Sequence, residues 1–264
     1  TWNVTVTDSK GCTVVSSVTI TQPVAAVSVS FTQTNITCFG GSNGTATATG
    51  AGGTAGYNYV WNDPAPPQST ALVTGLTVGT WNVTVTDSKG CTVVSSVTIT
   101  QPIAAVSVSF TQTNITCFGG SNGTATATGA GGTAGYNYVW NDPAPAQSTA
   151  LVTGLTSGTW NVTVTDSKGC SVVSSVTITQ PAAAVSVTFT QTNITCFGGS
   201  NGTATATGAG GTAGYNYVWN DPAPAQSTAL VTGLTVGTWN VTVTDSKGCS
   251  VVSSVTITQP AAAV

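Results

Sequence analysis

The sequence contains no histidine, arginine, glutamate or methionine, and seven aspartates and four lysines are its only acidic and basic residues. Histidine and glutamate are among the usual general bases of enzymes. Ser88 and Lys89 are adjacent in the sequence, so their side chains point apart and do not form a nucleophile with its base. We therefore expect no enzyme, no catalytic residues and no cofactor.

Positive charge is scarce, because four lysines and no arginine leave no basic patch. This excludes the electrostatic footprint of nucleic-acid binding and a polybasic membrane-surface site. No apolar run approaches the roughly 20 residues of a membrane-spanning helix, so we expect no membrane insertion in this segment. Thr1 lies inside a motif and nothing resembles a signal peptide, which indicates a segment of a longer protein.

The chain repeats itself with a period of 79 residues. The recurrence is visible in two series of side chains, Trp2, Trp81, Trp160 and Trp239, and Cys12, Cys91, Cys170 and Cys249. A third series, Cys38, Cys117 and Cys196, keeps the same step. We predict sandwich repeats at 24–102, 103–181 and 182–260. Residues 1–23 are then the C-terminal strands of a preceding repeat, and 261–264 begin the next.

The copies differ at five positions only, and every change is small. The differing sets are Val24/Ile103/Ala182, Ser30/Ser109/Thr188, Pro67/Ala146/Ala225, Val78/Ser157/Val236 and Thr92/Ser171/Ser250. No repeat therefore has chemistry of its own, and function must come from the number and geometry of the repeats.

Within one repeat, short alternating segments predict β-strands. The clearest runs from Trp81 to Thr86, where apolar and polar residues alternate. Turn signals separate the strands every 8–12 residues, which is typical of an antiparallel sandwich. Asp87-Ser-Lys-Gly90 predicts a tight hairpin with Gly90 at positive φ. The predicted fold is all-β, with about seven strands in each immunoglobulin-like (PKD-like) antiparallel β-sandwich and the modules in an extended array.

Two tryptophans in each repeat are predicted to anchor its core, because a sandwich of this size has little else of that volume. They are Trp61, Trp81, Trp140, Trp160, Trp219 and Trp239. The alternative is that aromatic rings are exposed to stack on sugars. Tyr57 is the better candidate for that role, and with Asn58 it forms a candidate glycan contact.

The recurring cysteines, in a chain without histidine or a Cys-x-x-Cys motif, predict disulfides and no metal site. Disulfides indicate an oxidising, extracytoplasmic compartment. Two pairings stay open. Small domains commonly staple themselves, which favours Cys38–Cys91 within a repeat. Sandwich topology places those two at opposite ends, which favours pairs between repeats, Cys38–Cys170 and Cys117–Cys249.

Asparagine and aspartate most simply serve the turns. Asn3, Asn35 and Asn43 begin Asn-x-Thr triplets, which accept glycans in eukaryotic secreted proteins. Asn-Gly at 43–44 is ordinary turn chemistry. Asp63 and Asp87 are predicted to cap turns, because two well separated carboxylates per repeat are few for a calcium site.

Three motifs taken together resemble the SprB repeat. They are Ile36-Thr-Cys-Phe-Gly-Gly-Ser-Asn-Gly44, Gly52-Gly-Thr-Ala-Gly-Tyr-Asn-Tyr-Val-Trp61, and the stretch from Gly75 to Cys91 that contains Thr-Asp-x-x-Gly-Cys, with Val97-Thr-Ile-Thr-Gln-Pro102 closing the repeat. Trp81 departs from the usual Tyr of the family, and Ala55-Gly56 from the usual Ala-Pro. The resemblance implies a very large cell-surface protein of Bacteroidota, exported by type IX secretion and serving adhesion or gliding motility.

The leading functional prediction is structural: a segment of a repetitive extracellular adhesin or filament at the bacterial cell surface, acting as a stalk. One alternative is a set of weak polysaccharide-binding modules whose affinities multiply. Another is a sheath or filament that assembles from like chains, since few charges oppose side-by-side packing. The expected partners are neighbouring repeats, and in the alternatives a surface polysaccharide or like filaments. The sequence specifies neither the ligand, the anchor nor the full array length.

Overall fold

A computed structural model describes residues 1–62, 68–141, 147–220 and 226–262. Within these ranges all regular secondary structure is β-strand, so the all-β prediction is confirmed. No helix among the described residues is long and apolar enough to cross a membrane.

The first of two compact units consists of Thr1–Val106 with Gly131–Ala134 and Lys168–Cys170. Its described residues form eight strands. They are β1 Trp2–Thr7, β2 Thr13–Val18, β3 Ser28–Thr34, β4 Gly44–Ala51, β5 Asn58–Trp61, β6 Leu72–Leu76, β7 Gly79–Thr86 and β8 Thr92–Ile99.

The second unit consists of Ser107–Ala130, Gly135–Ser167 and Ser171–Val264. Outside its undescribed residues 142–146, 221–225 and 263–264, this unit forms twelve strands. They are β9 Ser107–Thr113, β10 Gly123–Ala130, β11 Asn137–Trp140, β12 Leu151–Leu155, β13 Gly158–Thr165, β14 Ser171–Ile178, β15 Ser186–Thr192, β16 Gly202–Ala209, β17 Asn216–Trp219, β18 Leu230–Leu234, β19 Gly237–Thr244 and β20 Ser250–Ile257.

Six strands form two antiparallel sheets, and the pattern recurs three times along the chain. The orders are β3-β4-β6 with β5-β7-β8, β9-β10-β12 with β11-β13-β14, and β15-β16-β18 with β17-β19-β20. This is an immunoglobulin-like sandwich, as predicted. The described residues hold six strands per repeat, so the expected seventh strand is not among them. The chain divides into the two compact units given above. The three domains predicted from the sequence therefore stay a prediction.

The core lies between the two sheets, where every second side chain of a strand points. On β19, Val241 and Val243 are fully buried, and Asn240 between Trp239 and Val241 is exposed. Across the sandwich, β16 contributes Ala204 and Ala206, also buried. Small side chains on one sheet thus leave room for valine and tryptophan on the other.

One glycine sets how closely the sheets approach. A Cβ on Gly202, the first residue of β16, would lie 2.8 Å from Cγ2 of Ile257 and 2.9 Å from the carbonyl oxygen of Leu234. Any side chain there would push β16 away from β20. The Asn-Gly sequence that looks like turn chemistry therefore also serves packing.

Candidate functional site: the joints between repeats

A tight hairpin between β19 and β20 presents Cys249. Asp245 N–H donates to the carbonyl oxygen of Cys249 (2.8 Å), and Gly248 N–H donates to that of Asp245 (3.1 Å). Gly248 has φ 85°, a conformation that glycine adopts without strain. Gly90 has the same φ in the equivalent hairpin, which confirms the prediction for that residue.

A second local turn presents Cys117. Gly120 N–H donates to the carbonyl oxygen of Cys117 (2.9 Å), which closes the turn. The Asn122 side chain then clamps it, because its Oδ1 accepts from Thr116 N–H (3.2 Å) and its Nδ2 donates to Thr116 Oγ1 (2.8 Å). Asn43 makes the same two bonds with Thr37, so turn formation accounts for its side chain.

Disulfides join the two features between repeats. Cys38 is bonded to Cys170 and Cys117 to Cys249, each with Cα atoms 5.6 Å apart and a sequence separation of 132. The within-repeat pairing Cys38–Cys91 is not formed, and Cys91 is an exposed free thiol. The physical reason is β8. Cys91 precedes this strand of eight residues and the Cys38 turn lies beyond its other end, which is roughly 25 Å away and too far for a disulfide.

The linker between the second and third repeats is hydrogen-bonded at both of its ends. At its start, Gly119 N–H donates to Oε1 of Gln180 (2.8 Å), and Ile115 N–H donates to the carbonyl oxygen of Thr179 (2.9 Å). At its end, Gly211 N–H donates to the carbonyl oxygen of Ala183 (2.8 Å). Both the Cys117 turn and the next sandwich therefore hold the short linker.

The carboxylate of Asp245 connects the hairpin to the glycine loop that holds the linker. Its Oδ2 accepts from Thr212 N–H (2.8 Å), and its Oδ1 accepts from the N–H groups of Lys247 and Cys249 (2.9 Å each). The side chain is almost completely buried, at 3% exposure. The bond from Thr212 is the largest cause that lowers the pKa of Asp245, and burial opposes it. Asp87 has the same arrangement with Thr54, and a lowered pKa.

The sequence thus predicted a turn cap at Asp87 but missed its second oxygen, which reaches a loop 33 residues away. It also missed Gln180 and Ala183. The recurring Gln-Pro at the end of each repeat was a signal for the first. Nothing in the pattern pointed to a backbone carbonyl such as that of Ala183.

The predicted core tryptophans divide into two classes. Trp61, Trp140 and Trp219 are each 2% exposed, and Phe31 packs on Trp61 with ring centroids 6.1 Å apart. The second class, Trp81, Trp160 and Trp239, is only half-buried, at the margin of the core. The Nε1–H of Trp81 donates to the carbonyl oxygen of Thr77 (3.1 Å), a bond that draws the indole to the end of its sheet. These three are margin residues and do not anchor the core.

Tyr57, the candidate sugar platform, has its ring engaged within the protein. Its hydroxyl donates to the carbonyl oxygen of Gly52 (2.5 Å). A Cβ on Gly50 would lie 2.7 Å from Cγ of the ring, so the ring face covers this glycine. Asn58 is exposed and adjoins it. The structure therefore does not bring the two together as an open stacking surface.

The remaining polar candidates serve local structure. Asn35 Oδ1 accepts from Thr100 N–H (2.9 Å), and Asn3 lies on exposed β1. Asp63 lies outside the described residues. Among the described residues there is no group of three or more aspartates and cysteines placed to hold a metal ion.

The joint's turn lies inside the region that identifies the family. The model of the SprB repeat matches residues 30–66, 109–145 and 188–224. The chain carries three SprB repeats. Each match contains the turn cysteine, Cys38, Cys117 or Cys196, and ends before the hairpin cysteine. The Thr-Asp-x-x-Gly-Cys and Thr-Ile-Thr-Gln-Pro motifs therefore lie outside the matched residues.

Solved structures similar to this SprB-repeat chain are other multidomain β-proteins, and no curated protein matches it. A 1.5-MDa bacterial ice-binding adhesin has 16% identity and a TM-score of 0.42, covering 89% of this chain and 98% of that one. A tetra-tandem repeat from the extending region of a large adhesion protein has 16% identity and a TM-score of 0.33, covering 98% and 81%. The Down Syndrome Cell Adhesion Molecule has 9% identity and a TM-score of 0.36, covering 98% of this chain and 43% of its own. Likeness of this strength carries no functional inference.

Proposed function

We propose that the chain is a load-bearing length of a repetitive adhesin or filament at the bacterial cell surface. Each predicted repeat, 24–102, 103–181 and 182–260, serves as one module of a stalk, and the joints transmit tension between modules. The observation that carries this proposal is the overlap of the two disulfides, since Cys117 lies inside the loop closed by Cys38–Cys170.

Overlap gives tension a second path. A pull on the backbone passes from Cys38 to Cys170 through one disulfide, back along the chain to Cys117, and through the other disulfide to Cys249. Neither linker lies on this path. The shortest covalent route from Cys38 to Cys249 thus contains about 50 residues, where the backbone alone contains about 210. This shorter covalent route would limit the extension of the chain under tension.

The disulfides at the joints and the resemblance to SprB repeats both support a role outside the cell. Disulfides persist in oxidising compartments, and the SprB repeat is by resemblance a module of surface proteins exported by type IX secretion. The finer roles, adhesion and gliding, follow from that resemblance. An antibody against the repeat should label intact, unpermeabilised cells of the source organism, and labelling only after permeabilisation would contradict this location.

Pulling single molecules by their ends tests the load path. With the disulfides intact, complete unfolding should release an extension that is shorter by roughly 500 Å than after reduction, because about 160 residues are excluded from the path. A Cys12→Ser variant is the control and should match the unmodified chain. Equal extensions before and after reduction would sink the proposal.

Of the alternatives, a polysaccharide-binding role has less support. The Tyr57 ring, which would stack on a sugar, covers Gly50 and its hydroxyl is bonded to Gly52. Tyr215 makes the same bond to Gly210 (2.5 Å). Assembly between like chains stays a prediction.

A further inference from the structure

The second repeat, 103–181, has both of its disulfides within this chain, and each is attached at the tip of a hairpin. Cys117 lies in the turn between β9 and β10, and Cys170 lies in the turn between β13 and β14. Tension that enters this repeat through one disulfide and leaves through the other therefore pulls on the tips of two hairpins.

The two tips lie at opposite ends of the sandwich. Strand β14 begins directly after Cys170 and contains eight residues, which span roughly 25 Å. Just beyond the end of this strand, the carbonyl oxygen of Thr179 accepts from Ile115 N–H (2.9 Å), which places the Cys117 turn there. A pull on the two tips therefore acts along the strands and slides them past one another.

The disulfides also keep this pull off the ends of β9 and β14 that adjoin the linkers. Each disulfide fixes its two Cα atoms 5.6 Å apart, so the linker beside it is not stretched. Tension reaches Ser107, where β9 begins, and Ile178, where β14 ends, only after the disulfides are reduced. The repeat thus has two pairs of points at which it can be pulled, and its redox state selects between them.

With the disulfides intact, the two strands of each hairpin move together. Strands β9 and β10 both adjoin Cys117 and are drawn toward one end, whereas β13 and β14 adjoin Cys170 and are drawn toward the other. Strand β11 follows β10 along the chain, and β12 leads into β13. The partners within the β10–β12 ladder and within the β11–β13 ladder are therefore drawn in opposite directions, and these two ladders carry the shear.

After reduction, the load falls on different ladders. The pull on Ser107 draws β9 along β10 in one direction, and the pull on Ile178 draws β14 along β13 in the other. The β9–β10 and β13–β14 ladders then carry the shear. Packing between the two sheets resists the pull in both states and does not distinguish them.

The ladders loaded in the intact chain contain deeply buried residue pairs. Ala125 of β10 is paired with Val152 of β12, and both are fully buried. Trp140 of β11, at 2% exposure, is paired with Val162 of β13, which is fully buried. Every residue of β9, by contrast, is exposed or half-buried. Hydrogen bonds in surroundings of low dielectric constant are electrostatically stronger, so the buried ladders are the better ones to load.

We propose that the disulfides transfer tension within repeat 103–181 from the β9–β10 and β13–β14 ladders to the β10–β12 and β11–β13 ladders. This inference rests on the proposed function and deepens it. The overlap of the disulfides shortens the route that can extend, and their position at the hairpin tips selects the contacts that resist the pull.

Two single substitutions flank one residue and separate the two sets of ladders. Thr126 of β10 is paired with Leu151 of β12 on one side and with Thr111 of β9 on the other. Both partners are exposed, so glycine at either position weakens one ladder without opening the core. Leu151→Gly and Thr111→Gly are therefore a matched pair, and each serves as the control for the other.

Single full-length chains held by their ends at constant force give the unfolding rate before and after reduction. With the disulfides intact, residues 118–169 should unfold in one step, and Leu151→Gly should accelerate it about fivefold while Thr111→Gly leaves it unchanged. After reduction, Thr111→Gly should accelerate the first unfolding step by a similar factor, and Leu151→Gly should leave it unchanged. Leu151→Ser and Thr111→Ser are the milder pair if a glycine variant does not fold.

A substitution that accelerates unfolding by the same factor in both redox states would overturn the proposal, and so would the opposite order of the two variants. Urea unfolding of each variant without force shows that their losses of stability are similar. The extension distinguishes this failure from failure of the proposed function. If complete unfolding still releases more extension after reduction, the load path stands and only the assignment of the ladders is wrong, whereas equal extensions would remove both.

Discussion

The same hairpin sequence occurs in two surroundings within this molecule. Residues 1–20 and 238–257 differ only at Thr13, which is Ser250 in the second copy. In the first copy every residue is exposed. In the second, Val243 is fully buried, Asp245 is 3% exposed and Cys249 is 9% exposed and bonded to Cys117.

The two copies have the same strands and the same turn. Asp8 N–H donates to the carbonyl oxygen of Cys12 (2.9 Å) and Gly11 has φ 82°, as in the buried copy within small differences. Local sequence therefore specifies the hairpin itself. In the second copy, burial comes from other strands, the third bond to the Asp245 carboxylate comes from the loop residue Thr212, and the disulfide comes from a neighbouring repeat. Function at this position is a property of the joint.

The prediction with the largest expected effect tests whether the disulfides hold neighbouring repeats together after the chain is cut. It uses the absence of methionine from the chain. Val24, Ile103 and Ala182 are equivalent linker positions, and methionine at any of them creates one site for cyanogen bromide. Cleavage after Ile103→Met or Ala182→Met should leave a single species on a non-reducing gel, because a disulfide spans each cut. Disulfides do not exchange in the acid of that reaction, where thiolates are absent.

Val24→Met is the control, because no disulfide of this chain spans residue 24. Its cleavage should release the N-terminal hairpin without reductant. The double variant Ile103→Met/Ala182→Met should also stay whole until reduced, which is all-or-none evidence for the overlap. Separation of the pieces of Ala182→Met on the non-reducing gel would mean that Cys117 and Cys249 are not joined.

The features that the sequence could predict are those that depend on local sequence, and the features it could not predict depend on distant parts of the chain. Alternation predicts β19 and β20, and Asp-Ser-Lys-Gly predicts the turn, because both depend on near neighbours. The pairing of Cys117 with Cys249 could not be settled, since it depends on which end of the sandwich each cysteine occupies and on the neighbouring repeat. The half-burial of Trp239 was missed because alternation gives the face of a strand and not the distance from its centre.

The same valine-to-alanine substitution should lower the free energy of unfolding in one copy of the hairpin and not in the other. This effect should be smaller than that of the cleavage experiment. Val243→Ala removes two buried methyl groups and leaves a cavity, so the free energy of unfolding should fall by about 2 kcal/mol. Val6→Ala, the equivalent change in the exposed copy (57% exposed), should change it by less than about 0.5 kcal/mol. Urea unfolding followed by tryptophan fluorescence measures both. Similar losses in the two variants would show that the first hairpin is buried in solution.

The smallest expected effect is the pH dependence of stability that comes from the carboxylate of Asp245. The pKa of Asp245 lies below its ordinary value of 3.8, chiefly because Thr212 N–H stabilises the charged form. Stability from these bonds is therefore complete above the ordinary value and declines as the pH falls toward the lowered pKa. Asp245→Asn should lose part of this stability already at pH 7, with a melting temperature a few degrees lower, and should lose less than the unmodified chain below pH 4.

The control, Asp8→Asn, removes a carboxylate whose two bonds, to Lys10 and Cys12 N–H, stay within its own hairpin. It should leave the melting temperature at pH 7 unchanged. Asp87 also has a lowered pKa and is not changed by Asp245→Asn, so the acid-dependent loss should shrink without disappearing. An acid profile of Asp245→Asn identical to that of the unmodified chain would place the pH dependence elsewhere. The Thr212 bond would then be structural only, and the hairpin chemistry would be as local at Asp245 as it is at Asp8.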